Sequence, residues 1–205
     1  MINVFRRASL LAVALLLVVA NACGTERAAA PSSLATPAAS QDLIGGLVGT
    51  VTSTLKLTTA KAILRTTPLP HDITVRQTIG REGGVLSIPA AGVTVLVPAG
   101  ALDRYTEITM TARAGSLVAY DFAPHGITFR VPLVFNQTLK GTNATLLTAT
   151  QLKLGYYTDP SLLGKTTALV SEVLNGLTNV LTWTFTAPIK HFSGYIIICG
   201  FADIE

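Results

Sequence analysis

The chain has 205 residues, with three histidines, two cysteines and eleven carboxylates. One spacing in it could do chemistry: His191 and Ser193, separated by Phe192. An imidazole has an ordinary pKa of about 6.5 and can take a proton from a nearby hydroxyl near neutral pH. The structural alternative is that the two residues open a β-strand and bond locally. Other candidates are poorer. His125, between Pro124 and Gly126, reads as a residue that bonds turn backbone, and with Asp121 it supplies too few ligands for a metal. The cysteines and histidines do not form a zinc pattern, and neither a Walker loop nor GxGxxG is present. A turnover hydrolase needs a nucleophile, a base and an oriented acid in one pocket, which scattered histidines and sparse carboxylates do not offer. The expectation is no metal, no small-molecule cofactor and no turnover enzyme.

Composition indicates what must hold these residues. Hydrophobic residues make up 49% of the chain and charged residues 13%, against about 25% charged in an average globular domain. That is enough apolar surface for a core. The net charge is +4. Removing Arg6 and Arg7 with the leader leaves 13 Lys and Arg against 11 Asp and Glu, a net +2 with no basic run. Nucleic acid is excluded as a partner on that ground.

Residues 1–22 have the parts of a secretory signal peptide. Arg6 and Arg7 supply the positive start, Leu10 to Ala20 is an unbroken apolar run, and Ala20-Asn21-Ala22 is a small-x-small cleavage site. An eleven-residue helix covers about 17 Å, against about 30 Å of bilayer core. Cys23, followed by Gly24, resembles the lipidated cysteine of a bacterial lipobox, although Ala20 and Asn21 depart from its usual pattern. Ordinary cleavage after Ala22 is the alternative. The chain is expected in a bacterial cell envelope, lipid-anchored on the periplasmic side or at the cell surface, or else secreted. Cys199, beside Ile196, Ile197 and Ile198, reads as a buried core residue.

Residues 23–41 carry the acylated cysteine and an Ala/Ser/Pro/Thr-rich stretch that reads as a flexible tether. Residues 42–65 place Leu43, Ile44, Leu47, Val48, Val51 and Leu55 at helical spacing after Asp42, interrupted by Gly45, Gly46 and Gly49. This segment reads as a short helix packed on the domain, or as one lying on the membrane or self-associating. The lack of a Lys/Arg belt favours packing.

From residue 66 to 205 the pattern is all-β. Period-two alternation with Gly and Pro punctuation predicts strands at 73–79, 85–88, 93–97, 107–112, 117–122, 127–135, 151–157, 168–174, 178–186 and 192–199. Pro132 marks an edge or a bulge. Asn175-Gly176 reads as the turn of a hairpin. The last strand, apolar on both faces, should lie centrally. The architecture these imply is an antiparallel β-sandwich.

Three ordered motifs resemble the ZU-five domain of zonula-occludens proteins, Unc-five netrin receptors and ankyrins. They are Gly83-Gly84-Val85-Leu86 with Val97-Pro98-Ala99-Gly100-Ala101-Leu102, then Pro124-His125-Gly126-Ile127-Thr128-Phe129, then His191-Phe192-Ser193-Gly194-Tyr195. The resemblance implies a β-sandwich used for protein–protein contact, here with an envelope or extracellular partner. In some members the last triplet breaks its own Phe–Ser bond. By that resemblance His191 would be the base and Ser193 the nucleophile attacking the Phe192 carbonyl, giving an ester that water cleaves. A carbohydrate-binding sandwich is the alternative, resting on Tyr156-Tyr157 as the only aromatic pair. A secreted hydrolase ranks below it.

Overall fold

A computed structural model describes residues 57–201. The leader, Cys23, the tether and residues 42–56 lie outside that range, so the readings made for them do too.

Fifteen strands follow in order: β1 (Thr58–Ala62), β2 (Leu64–Leu69), β3 (Ile73–Ile79), β4 (Gly84–Ile88), β5 (Val93–Val97), β6 (Thr106–Ala112), β7 (Gly115–Leu117), β8 (Ala119–Ala123), β9 (Thr128–Thr138), β10 (Lys153–Tyr157), β11 (Thr167–Val170), β12 (Glu172–Asn175), β13 (Leu177–Asn179), β14 (Thr184–His191) and β15 (Gly194–Phe201). One helical turn, Leu146–Ala149, precedes β10 and is closed by a reciprocal bond pair between Thr145 and Thr148. All pairings are antiparallel.

Five strands, in the order β13-β14-β9-β5-β4, make one sheet. The larger sheet runs β11-β1-β15-β8-β6-β3, with β10 and β12 branching from β15, and β2 pairs with β7 in a separate two-stranded sheet. Alternation on the facing strands fills the space between the sheets. Val93, Val95 and Val97 meet Ile108 and Met110, with Leu133, Phe135, Phe185, Ala187, Ile189, Tyr195 and Ile197 between them. Burying each such side chain contributes on the order of 1.5–3 kcal/mol. The sandwich expected from the sequence is therefore the observed architecture.

β15 lies in the middle, as its two apolar faces require. It pairs with β10 on one side and with β8 and then β1 on the other. Its second face packs a separate small core of Ala60, Ala62, Tyr157, Ala168, Val170, Ile196 and Ile198. The pairings β12–β10–β15–β1–β11 form a circuit, and only Ser171 separates β11 from β12. The circuit closes into a small barrel beside the sandwich.

The structure corrects several details. Residues 58–62 and 64–65 are strand rather than helix; in the first, Ala60 and Ala62 alternate inward with Lys61 outward. The domain accordingly starts before residue 66. Asn175-Gly176 does not turn a hairpin: Asn175 ends a strand paired to β10, and Leu177 begins one paired to β14 in the other sheet. The single strand expected at 168–174 is two, split where Ser171 exchanges β1 for β10. The strand expected at 178–186 is likewise broken, with β13 and β14 joined by a turn that carries Trp183 at φ +56°. Pro132 falls where the register of β14 and β9 shifts between Ile189 and His191, as a bulge there requires.

Candidate functional site at the β14–β15 corner

β14 ends at His191 and β15 begins at Gly194, so Phe192 and Ser193 form the corner by which the chain crosses from one sheet to the other. Two backbone bonds pin that corner. The Phe192 N–H donates to Ile127 O at 3.1 Å, and the Phe122 N–H donates to Ser193 O at 2.9 Å. The Phe192 ring is buried, stacked on Phe122 at 5.3 Å and edge-on to Phe129 at 4.7 Å. Gly194 is needed beside it, because a Cβ there would overlap the Tyr157 ring.

The two reactive side chains have separate partners. Ser193 is buried, and its hydroxyl donates to the Tyr157 carbonyl at 3.2 Å. His191 is half-buried at the surface. Its Nε2 lies 3.0 Å from Glu172 Oε2 and its Nδ1 3.2 Å from the Tyr195 hydroxyl oxygen. That hydroxyl has one hydrogen, which it donates to the His191 carbonyl at 2.7 Å. Both ring nitrogens thus sit opposite oxygens that can accept. A general base needs a lone pair turned toward the hydroxyl it deprotonates, and here the Ser193 hydroxyl is turned to Tyr157.

A ring cluster supports this arrangement. Tyr156 meets His191 edge-on at 4.7 Å and Tyr195 at 5.6 Å. Burial, reinforced by the Glu172 charge, pushes the Tyr195 hydroxyl well above the ordinary tyrosine range. Behind Ser193, Tyr157 is fully buried and its hydroxyl donates to Asp121 Oδ1 at 2.8 Å. Asp121 in turn meets Arg113 at 3.4 Å, and Arg113 meets Asp72 at 2.9 Å. Burial first, then the Asp121 charge, raises the Tyr157 hydroxyl further still. This position removes Tyr157 as a ring for stacking sugars, since it is a core residue, and Trp183 packs against the main core.

A surface groove of about 420 Å³ opens beside the corner, with Tyr156, Ser171, Glu172, His191 and Phe192 among its walls. Gly126 and Thr128, from the segment containing the second motif, complete it. His125 itself is an exposed turn residue. Among the described residues no group of His, Cys, Asp and Glu could hold a metal.

Sequence reasoning named His191, Phe192 and Ser193 but missed Glu172, Tyr195 and Tyr157 as their partners. Glu172 was the most accessible signal, as one of only two carboxylates between Lys140 and Thr182.

The first motif lies elsewhere, and its geometry is structural. Gly83 has φ +80°, and a Cβ there would overlap Val97 O. Gly100 has φ +79°, and its N–H donates to Arg81 O at 2.8 Å. The two halves of the motif therefore lock the loop after β3 against the loop after β5. Residues 75–117 match the ZU5 domain. The match agrees with the resemblance read from the first motif; it covers β3 to β7 and leaves the second and third motifs outside it. ZU5 domains generally mediate protein–protein interaction. No curated protein sequence matches the chain significantly.

Proposed function

We propose that this is a cell-envelope lipoprotein whose ZU5-type sandwich binds another envelope or extracellular protein, and that it is not a turnover enzyme. The observation that carries the binding role is the ZU5 match at residues 75–117. The corner geometry supports binding over cutting. Self-cleavage between Phe192 and Ser193 would first have to free His191 from Glu172 and Tyr195, and Ser193 from Tyr157. Polar contacts at 3.0, 3.2 and 3.2 Å would be lost before any attack began.

Anchoring is supported by the leader, the small-x-small site and Cys23. Several acyl chains on one cysteine give stable attachment, at about 0.8 kcal/mol per buried methylene. Fractionation of producing cells tests the anchor: the wild-type chain should sediment with membranes and the Cys23→Ser chain should not. Cross-linking of the full chain in intact envelopes tests the partner. A defined protein adduct, lost on competition with excess unlabelled chain, is expected. Repeated absence of any specific adduct would remove the binding role.

A further inference from the structure

The groove beside the corner has a chemistry of its own. Glu172 is its one carboxylate, with 47% of its side chain exposed, and no lysine or arginine lines it. Glu172 Oε2 is taken by His191, and no hydrogen bond to Oε1 is made among the described residues. Tyr156 supplies aromatic wall, while Ser171 and Thr128 add small hydroxyl-bearing side chains. An anion entering this space would meet the Glu172 carboxylate with no lysine or arginine beside it. An apolar group would leave that carboxylate desolvated without a partner, which is costly. A long basic side chain avoids both penalties. Its methylenes lie along the aromatic wall, its charged head bonds to the free carboxylate oxygen, and the tyrosine ring adds attraction for a cation.

We propose that this groove receives a lysine or arginine side chain of the protein partner, with Glu172 as its counter-charge. The inference rests on the protein-binding reading and specifies which surface makes the contact. His191 then has a positioning role: its bond to Oε2 fixes the carboxylate and leaves Oε1 for the incoming charge. The Tyr195 bond and the Tyr156 ring hold His191 in turn.

The test uses the full chain and nuclear magnetic resonance of the His191 ring and the Tyr156 amide. The probes are three acetylated, amidated tripeptides with arginine, lysine or glutamate between glycines, and the disaccharide cellobiose. The basic tripeptides should move these resonances with a Kd of about a millimolar, as one side chain warrants. Glu172→Gln, which keeps an acceptor for His191, should weaken them about fivefold, as should raised salt. The glutamate tripeptide should have no effect. Equal response to basic and acidic tripeptides, or affinity unchanged in Glu172→Gln, would overturn the proposal. So would cellobiose moving these resonances while the basic tripeptides do not. A cross-linked partner captured equally by wild type and Glu172→Gln would leave protein binding intact and sink only the groove assignment, whereas no partner for either chain would remove the binding role itself. An unchanged thermal midpoint in Glu172→Gln keeps a folding defect from mimicking the expected loss.

Discussion

The Ser193 hydroxyl, read from the sequence as a nucleophile, stabilises the corner as a buried donor. Replacing Ser193 by Ala removes its bond to Tyr157 O and should cost about 1 kcal/mol in a urea titration. Gly194→Ala should be worse. The Tyr157 ring occupies the space of the new methyl, and overpacking of this kind costs about 1–3 kcal/mol. The buried tyrosines also set an alkaline limit. Burial, only partly offset by Arg65, pushes the Tyr120 hydroxyl up to about 12, and Tyr157 and Tyr195 are raised as well. Each is held neutral in the fold, so its stabilisation is complete below the unfolded value of about 10 and falls as pH rises from there through the folded value. Stability should drop by about 1.4 kcal/mol per pH unit for each of the three above pH 10. The tyrosinate absorbance of these three should appear together with loss of the fold, not before it, whereas the exposed Tyr105 can ionise in the folded chain.

Among the elements, β1 has the largest consequence for where the domain begins. It closes the small barrel by pairing with both β11 and β15, and it buries Ala60 and Ala62. A chain starting at residue 57 should therefore unfold cooperatively. One starting at residue 66 loses β1 and the buried Ile63 and should be less stable by more than about 3 kcal/mol. Circular dichroism through a urea series would show the difference. The sequence displayed most of the sandwich because its strands alternate cleanly. The predicted spans 73–79 and 93–97 coincide with β3 and β5, and five others differ by only one to three residues at their ends. It hid the barrel because Thr58–Ala62 has only alanines as inward residues, a pattern with little hydrophobic contrast. It also hid the exchange at Ser171, since a strand that changes partners keeps its alternation. The Asn175-Gly176 pair misled for a related reason: local turn chemistry does not reveal which sheet each flanking strand joins. Of the candidate site, the His191-Phe192-Ser193 triplet was visible as adjacent residues. Glu172, Tyr157 and Asp121 come to it from distant strands.

At the scale of the whole molecule, the corner joins the two sheets, the small barrel stands beside them, and the ZU5-matching strands supply one edge of each sheet. Cleavage after Phe192 would leave β15 joined to the rest by hydrogen bonds and packing alone, in the position where it carries three neighbouring strands. On the proposed reading the chain is an intact binding module whose His191 and Ser193 brace the corner. The most direct measurement is the mass of the denatured protein after prolonged incubation at neutral pH. An uncut chain is the predicted result. A released fragment running from Ser193 to Glu205, absent in Ser193→Ala, would contradict it.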